Sequence, residues 1–246
     1  MSIIQCENLR KTYRIGTRSV EALRGATLEI DEPGFYAIMG QSGSGKSTLL
    51  HLLAGLDDSD GGTVSVAGKR LDEMDDRALT EFRRTEIGVV FQQFNLIPTM
   101  TARENIELPG MLAGRPADEL KARSSELLKQ LGIAERADHR PEALSGGEQQ
   151  RVAIARSLLF SPAVIFADEP TGNLDSASAE QLWSLLAALA EQQQITVIMV
   201  THEPSAASHC KRTYLLRDGV VSGTIETGAM DATDIAAEYQ RLSRSA

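Results

Sequence analysis

Three short runs of apolar residues stand out along the chain. They cover residues 35–39, 163–167 and 195–200, and each is nearly continuous in apolar side chains. Runs of this length without polar alternation are typical of strands that are buried on both faces, as in a parallel sheet. Helical periodicity follows the three runs, over residues 46–56, over residues 177–193 and from Pro204 onward. The pattern therefore predicts an α/β core in which helices cover a central parallel sheet.

The middle of the chain has a different pattern. Between Gln93 and Arg156 the residues are charged or rich in Ala and Leu, as in 117–131, and no β-rich run occurs. This predicts a helical insertion in the α/β core. The N-terminal third instead carries strand-like pieces separated by glycines, at residues 3–9, 26–30 and 63–66. These pieces predict an antiparallel β layer beside the parallel sheet.

A chain of 246 residues fits one compound domain. We divide residues 1–246 into a core (1–92 and 157–222), a helical subdomain (93–156) and a C-terminal tail (223–246). The tail still carries apolar residues at helical spacing, so we predict a short amphipathic helix over residues 235–242. We therefore expect a single domain and no second folding unit in the tail.

Composition narrows the expected partners and compartment. The formal net charge of −9 argues against sequence-independent binding of nucleic acid, because such binding needs a basic surface. The two cysteines, Cys6 and Cys210, have no metal or redox spacing, so we expect reduced thiols that pack in the interior. No stretch reaches the roughly 18 to 20 apolar residues that span a bilayer, and the first residues do not form a signal peptide. We therefore expect a cytoplasmic chain.

A glycine-rich segment separates the first predicted strand from the first predicted helix. It fits the pattern G-x-x-x-x-G-K-[ST] and reads Gly40-Gln41-Ser42-Gly43-Ser44-Gly45-Lys46-Ser47-Thr48. Glycines let successive backbone N–H groups point at phosphate oxygens, and the following helix N-terminus adds its positive dipole end. Lys46 would reach the β- and γ-phosphates, and the Ser47 hydroxyl would hold Mg²⁺. The segment predicts a nucleotide-binding phosphate loop, with an ordinary glycine-rich turn as the alternative.

Two carboxylates, Asp168 and Glu169, end the second predicted strand. At the carboxyl end of a parallel strand, Asp168 would hold the Mg²⁺ shell, and Glu169 would polarise the water that attacks the γ-phosphate. A helix N-cap or a solvated loop would explain either acid alone. Because the phosphate loop supplies the group that both acids would serve, the pair predicts ATP hydrolysis.

A second glycine-rich helix start lies upstream of the two acids, in the segment Leu144-Ser145-Gly146-Gly147-Glu148-Gln149-Gln150-Arg151. It precedes the predicted helix 149–159 and has no large side chains at residues 145–147, which favours anion binding. A simple helix cap is the alternative. The segment resembles the signature of the ABC ATPase family, in which the phosphate loop of one subunit faces the signature of another with ATP between them. The resemblance implies a P-loop (RecA-like) core, ATP and Mg²⁺ as ligands, and a homodimer with ATP at its interface.

The resemblance covers nearly the whole chain, because the minor motifs of the family also occur in order. It implies that Tyr13 stacks on adenine and that Val20 supports the ring from below. It also implies that Gln92 contacts Mg²⁺ and the attacking water, although adjacent Gln93 leaves an ambiguity of one position. His202, which follows the third predicted strand, matches the histidine that contacts the γ-phosphate. Packing or surface roles are the alternatives for Tyr13 and His202.

Further features refine the family assignment. The segment Gly172-Asn173-Leu174-Asp175 resembles the loop that crosses to the partner subunit, with a helix N-cap at Asp175 as the alternative. Together with residues 91–98, it resembles the branch that serves lipoprotein release and macrolide efflux. Integral membrane permease subunits are then the expected partners, on the cytoplasmic face of the inner membrane. Among the other histidines, His51 is expected to face out of the first helix, and His139 and His209 are given no chemistry.

Two alternative functions share the ATPase chemistry. A chromosome or DNA-repair ATPase would carry long coiled coils within its core, and no sustained heptads occur between Gln92 and Leu144. A nucleotide-gated mechanical switch for a membrane partner would have the same motifs, so this alternative stays open. The apolar residues between Phe94 and Met100 either pack the two subdomains together or form the docking groove for the membrane subunit. We expect docking, with Leu96 as the residue that tests it.

Overall fold

The computed structural model describes residues 2–245. Its strands are β1 (Ile4–Ile15), β2 (Arg18–Ile30), β3 (Gly34–Met39), β4 (Gly61–Val66), β5 (Lys69–Arg70), β6 (Ile87–Phe91), β7 (Val164–Asp168), β8 (Thr196–Thr201), β9 (Arg212–Arg217) and β10 (Val220–Glu226). Its helices are α1 (Lys46–Leu53), α2 (Asp76–Thr85), α3 (Ala102–Leu112), α4 (Ala117–Gln130), α5 (Gly146–Ser157), α6 (Ser176–Gln193), α7 (Pro204–Ala207) and α8 (Ala232–Ser245).

The central sheet has six strands in the order β10-β9-β3-β8-β7-β6. Five of these strands run parallel, and β10 pairs antiparallel with β9 at one edge. Every residue of β3 and β8 is buried, as their uninterrupted apolar sequences predict for strands covered on both faces. The carboxyl ends of β3, β7 and β8 therefore lie side by side, which is where ligands bind in open α/β sheets.

A second sheet, of order β2-β1-β4-β5, is antiparallel throughout. Its long strands β1 and β2 pair over most of their lengths, with irregularities that bend the ribbon. The buried positions of β2 alternate with exposed ones over its second half, as expected for a sheet that packs one face on the core. The antiparallel layer predicted from the sequence is therefore present.

Two hydrophobic clusters occupy opposite faces of the parallel sheet. In β3, Phe35, Ala37 and Met39 belong to the cluster that includes residues of α3 to α6, whereas Tyr36 and Ile38 belong to the cluster shared with α1 and the antiparallel sheet. This division follows from the two-residue side-chain period of a strand. The parallel sheet is thus the shared wall between two cores, and both cores fix the position of its carboxyl edge.

Helices α3, α4 and α5 follow one another between β6 and β7, where the sequence predicts a helical insertion. Capping boxes start two of them: Thr101 with Glu104 begins α3, and Ser145 with Glu148 begins α5. Helices α3 and α4 pack closely, because a Cβ at Gly110 would collide with the Leu120 side chain. Close packing of this kind holds the start of α5 in a defined place.

The predicted fold class, an α/β parallel-sheet core with an antiparallel layer and inserted helices, is confirmed. The sequence prediction lacked α2, β6, β9 and β10. Helix α2 is mostly polar, with only Phe82 buried along it, so few apolar residues mark it in the sequence. Helix α1 ends at Leu53 and not at residue 56, because the chain turns at Gly55 with a φ of 61°.

Two other expectations concern the interior and the membrane. Cys6 and Cys210 are both buried free thiols, and burial raises the pKa of Cys6 to about 12. Such thiols are inert packing residues, as expected. Among the helices of residues 2–245, none is long and apolar enough to cross a membrane.

Candidate functional site

The phosphate loop connects β3 to α1 across a turn that only small residues fit. Gly45 precedes α1 with a φ of 103°, a conformation that a side chain disfavours. A Cβ at Gly40 would collide with the carbonyl oxygen of Leu216 in β9. The loop is also tied to the β9–β10 turn, since Gly219 N donates to Ser44 O at 3.0 Å. These constraints place the open N-terminus of α1 at the carboxyl edge of the sheet, ready for an anion.

Lys46 lies over this loop with its side chain buried. Its Nζ donates to the carbonyl oxygens of Gly40 and Gln41, each at 3.0 Å. Burial lowers the pKa of the Lys46 ammonium, and the carboxylates of Glu169 and Asp168 act in the opposite direction. The ammonium is thus the local positive charge between the phosphate loop and the two acids.

Ser47 and Asp168 are brought together by α1 and β7. The Ser47 hydroxyl donates to Asp168 Oδ1 at 3.0 Å. Two oxygen atoms that could bind a metal ion therefore lie together where α1 starts and β7 ends. Oxygen donors at this spacing fit Mg²⁺, which takes few protein ligands and fills its remaining positions with water and phosphate. The other Asp168 oxygen lies 3.7 Å from His51 Nε2. The expectation that His51 faces out of the helix is wrong, because one turn of helix after Ser47 returns its side chain to the same face.

Glu169 and His202 form the second polar pair, at the ends of β7 and β8. His202 Nδ1 lies 3.2 Å from Glu169 Oε1. Glu169 has a φ of 43°, in the left-handed region, and its N–H donates to Val200 O at 3.1 Å. This unusual backbone turns the carboxylate out of the strand and toward the cavity beside the phosphate loop.

That cavity has a volume of about 520 Å³, within the range of small-ligand sites. Tyr13 and Val20 line it and are paired residues of β1 and β2. The predicted site residues Ser42, Gly43, Gly45, Lys46, Ser47, Thr48, Glu169 and His202 also line it. The structure therefore joins the predicted base-binding residues, the phosphate loop and the catalytic pair in one open cavity.

Other predicted site residues lie outside this lining. Gly40 is covered beneath the loop, and Gln41 and Ser44 line a second cavity of about 290 Å³ on the loop's other side. Asp168 is not part of the lining but accepts a hydrogen bond from Ser47, which is. Gln92 is exposed, and its backbone oxygen accepts a hydrogen bond from Asn173 Nδ2 at 2.9 Å.

The signature residues also lie away from the cavity of their own chain. Ser145 caps α5 and is followed by Gly146 and Gly147 at the exposed helix start. A Cβ at Gly146 would meet the side chains of Leu174 and Phe94, so the signature is packed beside residues 172–175 and the segment after Gln92. Within one chain, the structure thus has two separate helix starts that suit anions.

Sequence reasoning missed two residues that hold this region together. We call residues 92–100 the Gln-loop segment. Arg156 donates to Asn95 O at 2.6 Å and to Phe94 O at 2.9 Å, and the buried Gln150 donates to Phe91 O at 3.3 Å. Both side chains come from α5, so the signature helix binds the Gln-loop segment through Arg156 and the end of β6 through Gln150. The only signal in the sequence was polar residues on a helix with otherwise apolar neighbours.

Comparisons with known proteins bear on the family. Residues 23–172 match the sequence model described as "ABC transporter". The chain is 43% identical over 244 residues to a macrolide export ATP-binding/permease protein, MacB, from Bdellovibrio bacteriovorus, covering 99% of this chain and 37% of that one. It is 46% identical over 230 residues to YvcR of Bacillus subtilis, named an uncharacterized ABC transporter ATP-binding protein, covering 93% of this chain and 89% of that one.

A solved structure is similar in both fold and sequence. The ATP-binding cassette MJ0796, in a dimeric post-hydrolysis state bound to ADP and Pi, matches with a TM-score of 0.84 and 42% identity. The match covers 92% of this chain and all of that one. The family match at residues 23–172 contains the phosphate loop, the signature and the acidic pair. The chain therefore belongs to the ABC transporter family, as an ATP-binding cassette with the motifs of an ATPase.

Proposed function

We propose that two copies of this chain close head to tail on two ATP molecules, hydrolyse them, and drive integral membrane subunits of the macrolide-export or lipoprotein-release type. The site would lie at the cytoplasmic face of the inner membrane. The macrolide export relative supports this class, and its name joins an ATP-binding part to a permease. This chain spans 37% of the length of that relative, so we expect the substrate pathway in polypeptide outside these 246 residues.

One observation carries the proposal of a pair. The signature at the start of α5 lies outside the cavity that contains the phosphate loop, Glu169 and His202. A helix start with two glycines and no bulky side chain is suited to an anion that its own chain does not bring to it. A second copy, related by a two-fold axis, would present its phosphate loop to this signature, and the same contact would occur twice.

The roles of the residues follow from their positions. Tyr13 and Val20 would bind the adenine ring, and the phosphate-loop N–H groups with Lys46 would bind the phosphates. Ser47 and Asp168, with Gln92, would hold Mg²⁺, which neutralises charge on the phosphates when bound. Glu169 would accept the proton of the attacking water, and His202, at 3.2 Å, would keep the Glu169 carboxylate in place and contact the γ-phosphate.

The division of the chain also belongs to the proposal. Residues 93–156 would move as a helical subdomain that carries the signature, relative to the core at 1–92 and 157–222, with 223–246 as a tail. The hydrogen bonds from Arg156 support this, because they link α5 to the segment that follows Gln92, and Gln150 of α5 binds the oxygen of Phe91 just before Gln92. Movement of the signature would then shift Gln92 in the same subunit.

Mixing two inactive variants tests the shared site. Lys46→Ala removes the phosphate-loop cation, and Ser145→Arg blocks the signature. Each variant alone should hydrolyse little ATP, because both sites of its dimer are damaged. A mixed dimer places both defects in one site and leaves the other intact, so equal mixing should restore up to about a quarter of wild-type single-turnover hydrolysis.

The control is a mixture of Lys46→Ala with Glu169→Gln. Both substitutions lie on the phosphate-loop half, so mixed dimers keep no intact site and no activity should return. Equal activity of the two mixtures, or full activity of Ser145→Arg alone, would refute the shared site. Purifying the detergent-solubilised complex and assaying its cargo would separate transport from a purely mechanical output.

A further inference from the structure

Asp57 lies at the end of the turn that follows α1, next to the part of the cavity that Tyr13 and Val20 line. Its side chain is 31% exposed and accepts three hydrogen bonds. Lys11 Nζ donates to Oδ1 at 2.6 Å, Tyr13 Oη donates to Oδ2 at 2.7 Å, and Asp58 N donates to Oδ1 at 2.8 Å. Burial acts to raise the pKa of Asp57, but hydrogen bonds from Lys11 and Tyr13 outweigh it, so the pKa is lowered. The carboxylate therefore remains an ionised acceptor at neutral pH.

Tyr13 is held at its hydroxyl end while its ring stays at the cavity. Tyr13 lines the cavity beside its cross-strand partner Val20, and its hydroxyl donates to Asp57. Lys11 Nζ lies 5.2 Å from the centroid of the same ring. Since Asp57 binds both Lys11 and Tyr13, one carboxylate sets the place of the ring and of the cation beside it.

We propose that Asp57 is a positioning residue for nucleotide recognition, which orients Tyr13 to receive the adenine ring; this rests on the proposed role of Tyr13 in ATP binding. An aromatic ring free to rotate must be ordered when the base arrives, and that ordering weakens binding. Asp57 orders the ring beforehand. Because Asp57 follows the last residue of α1 by four positions, Tyr13 is attached to the chain just after the helix that begins at the phosphate loop.

A purely structural contact would behave differently. The Lys11 and Asp57 side chains are only 11% and 31% exposed, and a general loss of stability on breaking their contact would weaken all phosphate ligands alike. Loss of ring positioning should instead weaken only ligands that carry a base. Inorganic tripolyphosphate has the phosphates of ATP without base or ribose, so it separates the two roles.

The test compares Asp57→Asn with Asp58→Asn by titration calorimetry with ATP and with tripolyphosphate, both with Mg²⁺. Asp58→Asn is the matched control, because it removes the same charge from the next residue, whose side chain is exposed. Asp57→Asn should weaken ATP binding about five- to tenfold and raise KM by a similar factor. Its kcat at saturating ATP and its tripolyphosphate affinity should stay within about twofold of wild type. Asp58→Asn should bind both ligands as wild type does.

Tyr13→Phe and Tyr13→Ala complete the design. Tyr13→Phe keeps the ring but loses the hydroxyl, so it should reproduce the ATP defect, and combining it with Asp57→Asn should add little. It also carries the test if Asp57→Asn does not fold. Unchanged ATP affinity in Asp57→Asn or Tyr13→Phe, or an equal loss for tripolyphosphate, would overturn the positioning role. If Tyr13→Ala also binds ATP normally, the proposed adenine role of Tyr13 fails instead.

Discussion

The phosphate loop and the Gln-loop segment lie at the same edge of the molecule but are held in different ways. The phosphate loop is fixed by its own residues and by backbone contacts, such as Ser44 N to Gln41 O at 3.2 Å and Gly219 N to Ser44 O. The Gln-loop segment is fixed by side chains from elsewhere. Arg156 binds two of its carbonyl oxygens, and Asn173 binds that of Gln92.

This difference shows how one site can be both rigid and responsive. A loop held by local backbone bonds keeps its shape when neighbouring helices move. A segment held by Arg156 of α5 and by Asn105 of α3 moves with these helices, and so responds to the position of the signature. Three substitutions, in order of decreasing effect on hydrolysis, test this contrast.

Glu169→Gln changes the end of β7 beside the rigid phosphate loop and should lower hydrolysis the most. It keeps the size of the side chain and removes the base, so hydrolysis should fall by about 10²-fold or more while ATP binding remains. Dimers held by unhydrolysed ATP should then accumulate and elute early in size-exclusion chromatography. Glu191→Gln, on the exposed end of α6, is the control and should behave as wild type. Normal turnover, or a monomer under saturating ATP, would remove Glu169 from this role.

Arg156→Met acts on the responsive side. It should lower kcat about tenfold and leave ATP affinity near wild type, because the phosphate loop does not depend on Arg156. Loss of two charge-assisted hydrogen bonds should also lower the free energy of unfolding by about 2–3 kcal/mol, measured by urea denaturation.

Arg156→Lys is the matched variant, since it keeps the charge but not the fork that reaches both carbonyl oxygens. It should restore much of the stability and less of kcat. An equal loss of ATP affinity in Arg156→Met would contradict the contrast, because the phosphate loop would then depend on the same contacts.

The smallest effect on the isolated chain is expected at Ile97. Leu96 packs against the hydrophobic cluster that includes residues of α3 to α6, whereas Ile97 is 37% exposed. Within the apolar run, Leu96 is therefore a packing residue and Ile97 a surface residue. Leu96→Asp should therefore destabilise the fold by about 2–3 kcal/mol. Ile97→Asp should leave melting temperature and ATP affinity unchanged but weaken co-purification with a membrane subunit. Equal destabilisation by both substitutions would assign the whole run to packing.

The sequence predicted three of the six strands in the central sheet because these three are apolar along most of their length and lead into recognisable motifs. Strands β3, β7 and β8 follow directly from this pattern. Strand β9 was not predicted, because Arg212, Thr213 and Arg217 interrupt its apolar pattern. The edge strand β10 contains Ser222 and Gly223, which in the sequence alone predict a loop, because its pairing with β9 is visible only in the structure.

The site was predictable where function needs a short continuous motif. Residues 40–48 and the acids at 168 and 169 could be named from the sequence alone, although their roles stay predictions. The position of His51 beside Asp168 depends on where α1 lies relative to β7, and the sequence does not contain that relation. The same holds for Asp57, whose partners are 44 and 46 positions away in the sequence.

The left-handed backbone of Glu169 has a consequence for how this sequence can change. In that conformation most residues with a side chain lower the free energy of unfolding by about 1–2 kcal/mol, whereas Gly or Asn is tolerated there. Selection for thermal stability alone would therefore favour replacement of Glu169, and the catalytic role proposed for its carboxylate would oppose it. The end of β7 is a place where stability and turnover conflict, so stabilising this cassette by consensus or random screening should exclude position 169 from the library.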